Sequence, residues 1–314
     1  MEKALMGRRR RSGKAINGWV ILDKPVGMTS TSAVSTVRRM FDARKAGHAG
    51  TLDPLATGVL PIALGEATKT LPYVVDTQKH YQFTLRWGIA TSTDDQEGHP
   101  IIESDARPVE TEIRNALPQF VGEIMQVPPV YSAIKIDGQR AYDLARNGED
   151  VELVARPIFI SALELVAIQD ADNAIFSVVS GKGAYMRGLA RDLARALGTV
   201  GHIASLRRTA VGPFREIDTI SLDELDSFGQ SPAASGGLRP VETPLDDIPA
   251  LALTEQEAAR LKNGQAVSLI RKADLERISA FKDGETVLAT ATGKPVALAR
   301  YGAGQVRPVR VLHI

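Results

Sequence analysis

Residues 47–65 read Gly-His-Ala-Gly-Thr-Leu-Asp-Pro-Leu-Ala-Thr-Gly-Val-Leu-Pro-Ile-Ala-Leu-Gly. They place one carboxylate, Asp53, in a loop bounded by glycine and proline, just before an apolar strand. Gly50 and Gly58 admit backbone conformations closed to other residues. Pro54 fixes its own φ and keeps Asp53 out of the helical region. Such a loop has few shapes, and rigid loops on a scaffold are where chemistry concentrates. An ionised aspartate held there has nucleophilic or basic chemistry to offer. Asp53 is also what an Asx-type turn ahead of a proline needs, so spacing alone leaves both readings open.

Other familiar chemistries find no support. Gly181-Lys182-Gly183 lacks the third glycine of a dinucleotide fingerprint, and there is no P-loop sequence. The five histidines (His48, His80, His99, His202, His313) show no metal-ligand spacing. No Gly-x-Ser-x-Gly elbow is present. The chain has no cysteine, which excludes disulfides, cysteine-ligated metals and thiol catalysis. The expectation is therefore an activity without cofactor or metal.

The elements that must carry the Asp53 loop can be read from periodicity. Residues 18–22 form a short apolar strand, and Thr29 to Ser32 offer N-caps for a helix with the stripe Ala33, Val34, Val37, Met40 and Phe41. Residues 59–64 read as a strand. Residues 81–89 alternate apolar Tyr81, Phe83, Leu85, Trp87 and Ile89 with Gln82, Thr84, Arg86 and Gly88, the pattern of a half-buried strand. Tyr81 on that apolar face has the position of a core tyrosine. Val109, Ile113, Leu117 and Phe120 mark a helix whose end Pro118 blurs. Residues 127–156 are a basic excursion opened by two prolines and carrying Lys135, Arg140, Arg146 and Arg156; a mobile clamp and a plain hairpin with a helix fit it equally.

Strands are expected at 157–167, 174–180 and 203–211. Between the last two, Met186, Leu189, Ala190, Leu193 and Leu197 define an amphipathic helix ended by Gly198, with Arg187, Arg191 and Arg195 on another face. A linker rich in Ser, Gly, Pro and Ala spans 227–245. Residues 246–314 then form a separate unit, opened by Thr254 and Glu257 at capping-box spacing, with turns at Asp283-Gly284 and Gly293-Lys294-Pro295; a small β-barrel fits it.

The formal charge of +1 conceals an uneven distribution. Residues 1–14 hold six of the 38 basic side chains and one of the 37 acidic ones, so the remainder carries 32 against 36, a net −4. Any polyanion site in the body must be a local concentration of Arg and Lys. The Arg8–Arg11 run marks residues 1–15 as a basic, disordered tail. No apolar run reaches the length of a membrane span, and no apolar signal region follows the basic start, so a cytoplasmic protein is expected.

Six blocks remain: Leu22-Asp23-Lys24-Pro25-x-Gly27-x-Thr29-Ser30; Gly47 through Leu60; Lys79-x-Tyr81; Tyr131-Ser132-Ala133-x-Lys135; Gly183-x-Tyr185-x-Arg187; and Leu206-Arg207-Arg208. In order and spacing they resemble the TruB family of tRNA pseudouridine synthases, over about residues 18–215. The unit after the linker resembles the PUA-like domain often appended to that family.

The resemblance implies an α+β pseudouridine synthase fold with a large mixed, mostly antiparallel sheet, residues 16–226 forming the catalytic domain and 246–314 the PUA-like barrel. It implies isomerisation of a uridine in the T-loop of tRNA, position 55. The glycosidic bond is broken, the base turns, and C5 is joined to the ribose. Asp53 becomes the catalytic residue, acting on sugar or base, with Arg187 as its countercharge in a dry pocket. Tyr81 stacks on the target base, Tyr185 and Leu206 complete the uracil pocket, and His48 fills the gap left by the extruded nucleotide. Lys24, Lys135, Arg207 and Arg208 are candidate phosphate contacts, although Lys24 also suits a role in shaping its own turn. The implied partner is the tRNA T stem-loop, the implied state a monomer. Two other readings stand beside this one. A tRNA chaperone would use the same surface without chemistry. A glycosyl hydrolase would need a second carboxylate, for which the sequence offers no obvious candidate.

Overall fold

Strand β1 (Gly18–Lys24) is buried along almost its whole length, as an apolar run must be when both sheet faces are covered. It pairs antiparallel with β3 (Thr57–Leu64), Gly18 facing Leu64 and Lys24 facing Gly58. Val20 and Leu22 enter one hydrophobic cluster, Trp19 and Ile21 another on the opposite face. Between the two strands lie helix α1 (Ser30–Met40) and the short strand β2 (Ala46–His48). Thr29 caps α1 by accepting from the Ser32 amide at 3.1 Å. This is a computed structural model; it describes residues 13–132, 134–136, 139–141, 144, 153–228 and 236–314.

After α2 (Leu71–Val75), β4 (Lys79–Trp87) supplies the alternating strand. It ends at Gly88, whose φ of +86° breaks the extended run, so Ile89 begins a new strand, β5 (Ile89–Thr91), paired with β6 (Pro100–Glu103). Helix α3 (Glu110–Ala116) is shorter than its stripe suggests: Val109 sits before the first turn and is exposed, and residues from Leu117 to Phe120 tighten into a 3₁₀ turn around Pro118. Next come β7 (Gly122–Gln126), the pair β8 (Lys135–Ile136) and β9 (Gln139–Arg140), β10 (Arg156–Ile168) and β11 (Asn173–Ser180). The rest of the basic excursion, including its turn and helix, lies largely outside the described residues. Helix α4 (Met186–Ala196), β12 (Gly201–Val211) and β13 (Phe214–Arg215) complete the first unit.

The large sheet runs β1-β3-β12-β4-β11-β10-β7, with β2 on β3 and β13 on β12. All its described pairs are antiparallel except β3–β12. Its core packs Phe83 and Trp87 of β4 and Phe176 of β11 under Leu189, Ala190 and Leu193 of α4. The Phe83 and Phe176 rings stack with centroids 5.3 Å apart. The fold is α+β, as expected.

A second sheet is built from β14 (Ala250–Ala252), β15 (Val267–Ser268), β16 (Thr286–Ala291), β17 (Lys294–Gly302) and β18 (Gln305–Val311), in the order β14-β16-β17-β18-β15. It curls into half a barrel. Its last residues return to the first unit. Leu312 is fully buried in the cluster of Trp19, Val74 and Phe214, and Lys69 Nζ donates to the Val311 carbonyl at 2.6 Å. The end of the segment read as a linker is also packed. Arg239 exchanges backbone hydrogen bonds with Trp19, and the Trp19 indole donates to the Val241 carbonyl. No described helix is long and apolar enough to cross a membrane.

Candidate active site

The Asp53 loop is held by its backbone. Gly50 and Gly58 take φ of +99° and +97°, a region other residues rarely enter. The five carbonyls from Gly50 to Pro54 each accept a hydrogen bond. Arg208 donates to Gly50 (3.1 Å) and Thr51 (3.4 Å), Ser30 Oγ to Leu52 (3.0 Å), the Ala56 amide to Asp53 (3.1 Å), and the Gly27 amide to Pro54 (2.8 Å). Ser30 Oγ also accepts from the Leu52 amide, and Lys24 Nζ adds a second bond to Pro54 at 3.3 Å. Little conformational freedom remains to be lost when a substrate arrives.

Arg187 projects from the first turn of α4. It grips Asp53 side-on: Nε donates to Oδ2 at 2.8 Å and Nη2 to Oδ1 at 3.1 Å. Nη1 donates to the Thr93 carbonyl and Nη2 also to the Tyr131 carbonyl. A cation in the first turn opposes the helix dipole, so it needs the anions it meets. The Arg187 side chain is 4% exposed, whereas that of Asp53 is 32% exposed. About a third of the Asp53 side chain is therefore open to solvent, while the guanidinium behind it is closed off.

A second acid stands behind the pair. Asp95 is 3% exposed with Oδ2 3.6 Å from Arg187 Nε. Thr93 Oγ1 and the Glu97 amide both donate to its Oδ1, and Thr91 Oγ1 holds its carbonyl. Nothing in the sequence pattern singles Asp95 out. Closed to solvent and tied to its neighbours, Asp95 supports Arg187 and has no room to activate water as a hydrolase acid would. Alongside, Arg191 bonds Asp94 and Asp192. Burial pushes Asp94 above the usual carboxylate range, against the pull of Arg191, and burial with the charges of Asp95 and Asp53 does the same to Glu97.

The aromatic candidates lie on β4 and just before α4. Tyr81 on β4 is half-buried and packs on the main core. Tyr185 precedes α4, with its amide and carbonyl both bound by the side chain of Gln126, which is buried. Arg156 stacks over its ring at 5.9 Å. Leu206 is buried beside a cavity of about 350 Å³ that Leu55, Gln82, Gln96 and Ser205 also line. His48, at the end of β2, is half-buried. Burial pushes its imidazole below the ordinary value, with Arg208 acting in the same sense and the Gly50 backbone against it.

The proposed phosphate contacts need correction. Lys24 is fully buried, with Nζ on the carbonyls of Pro25, Met28 and Pro54. Arg208 is 1% exposed beneath the same loop. Neither presents its charge to solvent; both tie the Asp53 loop. Arg207 is partly exposed, yet its guanidinium is already shared by Asp23 and Glu216. The Lys135 side chain lies outside the described residues.

The large sheet and its cleft define the class of protein. A solved H/ACA RNP bound to a substrate RNA containing 2′-deoxyuridine superposes with a TM-score of 0.71, at 22% identity over 95% of this chain and 85% of that one. A Cbf5-Nop10-Gar1 complex gives 0.68 at 25% identity, over 94% of this chain and 83% of that one. The fold is that of the pseudouridine synthases. Residues 38–186 match the model described as "TruB family pseudouridylate synthase (N terminal domain)", and residues 187–248 match "tRNA pseudouridylate synthase B C-terminal domain". The boundary between these models falls within the large sheet's core, and the second sheet lies beyond both. Proteins named tRNA pseudouridine synthase B are similar over nearly their full length: 54% identity in Rhodospirillum rubrum (98% of this chain, 99% of that protein), 55% in Gluconacetobacter diazotrophicus (97% and 100%) and 50% in Caulobacter vibrioides (98% and 99%). The chain belongs to the TruB family.

Proposed function

We propose that this protein converts a uridine of tRNA to pseudouridine, at position 55 in the T-loop, with residues 16–226 as the catalytic unit and 246–314 as an accessory RNA-binding unit. The relatives' names supply the substrate. The observation that carries the chemistry is the Asp53 carboxylate, oriented by Arg187 yet open to the cleft. The reaction is an isomerisation: the bond from C1′ to N1 breaks, a bond from C1′ to C5 forms, the C5 proton leaves and N1 gains one.

Asp53 acts by attack on the sugar, attack on the base, or removal of a sugar proton. All three need it ionised, and the Arg187 fork favours that form. Tyr81 stacks on the extruded base, Tyr185 and Leu206 wall the pocket, and His48 takes the place the nucleotide leaves. Extrusion costs a few kcal/mol, so a planar group in the vacated stack assists it. Lys24 and Arg208 serve the loop and Arg207 is held by Asp23 and Glu216, which leaves Lys135 as the phosphate contact among the four candidates. RNA loops of this kind are read through shape and splayed bases. We assign the protein to the cytoplasm, acting as a monomer.

The test uses a tRNA transcript labelled with tritium at uridine C5, with mass mapping of the product. Wild-type protein is expected to release tritium and place pseudouridine in the T-loop, and Asp53→Asn to do neither while still binding the tRNA. A wild-type protein that binds without release would be a chaperone. Free uracil as product would mark a hydrolase. Full turnover by Asp53→Asn would remove the aspartate from the chemistry.

A further inference from the structure

Tyr185 stands at the N-cap of α4, a place that favours a short polar side chain able to bond the first free amides. Its own side chain makes no capping bond. Its backbone is held instead by one side chain from a distant strand. Gln126 Oε1 accepts from the Tyr185 amide at 2.9 Å, and Gln126 Nε2 donates to the Tyr185 carbonyl at 3.0 Å. Gln126 is 1% exposed, a depth at which a primary amide must find partners within the protein. Gly188, in the first turn of α4, makes room for it: a Cβ there would stand 3.2 Å from Gln126 Cδ and Nε2. Glycine weakens a helix interior, and here its bareness admits the amide.

The strand register brings in a second group. Gln126 ends β7 directly opposite Arg156, which opens β10. The two residues meet at the foot of the 127–156 excursion. Arg156 lays its guanidinium over the Tyr185 ring, 5.9 Å from the centroid. A ring has two faces, and this leaves one for a base. Beyond Gln126 the chain stays on α4. Arg191 Nη2 donates to the Val127 carbonyl at 2.7 Å, and Arg187 Nη2 to the Tyr131 carbonyl at 2.8 Å. The helix that carries Arg187 therefore also grips one root of the excursion.

We propose that Gln126 and Arg156 are positioning residues for the isomerisation, setting the backbone and the ring of Tyr185 so that the remaining face of the ring meets the uracil in one orientation. This rests on the function proposed above. Gln126 fixes where the ring is attached, and Arg156 fixes its tilt. Both act through Tyr185. An ionised glutamate cannot replace Gln126, because it has no N–H for the Tyr185 carbonyl. Lysine cannot replace Arg156, because an ammonium offers no plane to stack.

A double-mutant cycle tests the coupling. Single-turnover pseudouridine formation in a tRNA transcript is measured for wild type, Gln126→Met, Tyr185→Ala and the double variant, with tRNA affinity alongside. Gln126→Met is expected to slow the wild-type reaction about tenfold or more while changing affinity little, and to slow the Tyr185→Ala protein several-fold less, since no ring is left to place. Equal losses in both backgrounds, or no loss in either, would reduce Gln126 to a structural filler and overturn the proposal. Arg156→Lys keeps the charge and loses the stack. It is expected to slow the reaction several-fold with the salt dependence of binding unchanged; an unchanged rate would overturn the part given to Arg156. Should Gln126→Met not fold, the cycle is run with Arg156→Lys. Amide hydrogen exchange of the free protein gives a readout independent of substrate. The Tyr185 N–H is expected to exchange about tenfold faster or more in Gln126→Met, with the amides of the second sheet unchanged; equal exchange would contradict the hold. A wild-type protein that forms no pseudouridine would defeat the proposed function, while the exchange comparison would still decide whether Gln126 holds Tyr185.

Discussion

His48 ties protonation to stability at the scale of one residue. Its folded pKa lies below the ordinary value, chiefly through burial, whereas an unfolded histidine titrates near about 6.5. Between those values the unfolded chain binds more protons, so stability is complete above about pH 6.5 and is lost as pH falls toward the folded value. The unfolding free energy of His48→Gln, followed by denaturant titration from pH 7 to 5, should decline less than that of wild type. Equal declines would show that His48 does not set the dependence. The same scale shows what could be read without coordinates. The family resemblance singled out Asp53 and Arg187 within the six blocks, and the structure joins them. Arg208 was misread because its charge was weighed above its parity, whereas Lys24 takes the turn-shaping role that its sequence also allowed. Arg208 alternates with Arg207 and shares a face with Leu206; Lys24 shares one with Val20 and Leu22. Period two places Arg208 inward, but β1 is buried on both faces, so parity alone does not decide Lys24. Asp95 had no such signal, since a loop acid carries no periodicity and its burial comes from Arg187 and Thr93, distant or irregular neighbours.

At the scale of elements, the seam between β3 and β12 decides the geometry. These strands are parallel and about 150 positions apart in the chain, so their neighbourhood could not be read from local pattern, although each strand could. Gly58 is the contact point, with a positive φ and no space for a side chain. Gly58→Ala is expected to destabilise the protein by more than about 1 kcal/mol, since both the conformation and the approach forbid a Cβ. It should also slow turnover, because the displaced strand carries Arg208. Thermal melts with a single-turnover assay would check both; a variant with unchanged midpoint would mean the seam yields freely. Gly88 and Pro118 show the local case. The alternation ran through Gly88 to Ile89, yet the positive φ of Gly88 ends β4 at Trp87, and Pro118, which blurred the end of its helix, lies in the 3₁₀ turn that follows α3.

Over the whole molecule, the two sheets share apolar surface. Leu312 from beyond β18 completes a cluster with Trp19, Val74 and Phe214, and Lys69 and Glu66 bind the backbone on either side of it. Composition suggested a loose connection at 227–245, because Ser, Gly and Pro report on backbone freedom and not on the contacts of Val241 and Leu245, both buried. A protein built this way should unfold in one calorimetric transition. Leu312→Asp, which buries an unpaired carboxylate, should cost about 3 kcal/mol or more and separate the melting of the two sheets. Two well-resolved transitions in the wild type would show that the shared cluster does not couple them.

The run of satisfied carbonyls around Asp53 has one more outcome. A segment with no backbone oxygen left over gains nothing by moving, so accommodation falls to the nucleic acid. On the proposed reading the tRNA must unstack and deliver its nucleotide to a stationary acid. Transcripts whose loop opens easily should then react faster than rigid ones, without any adjustment by the protein.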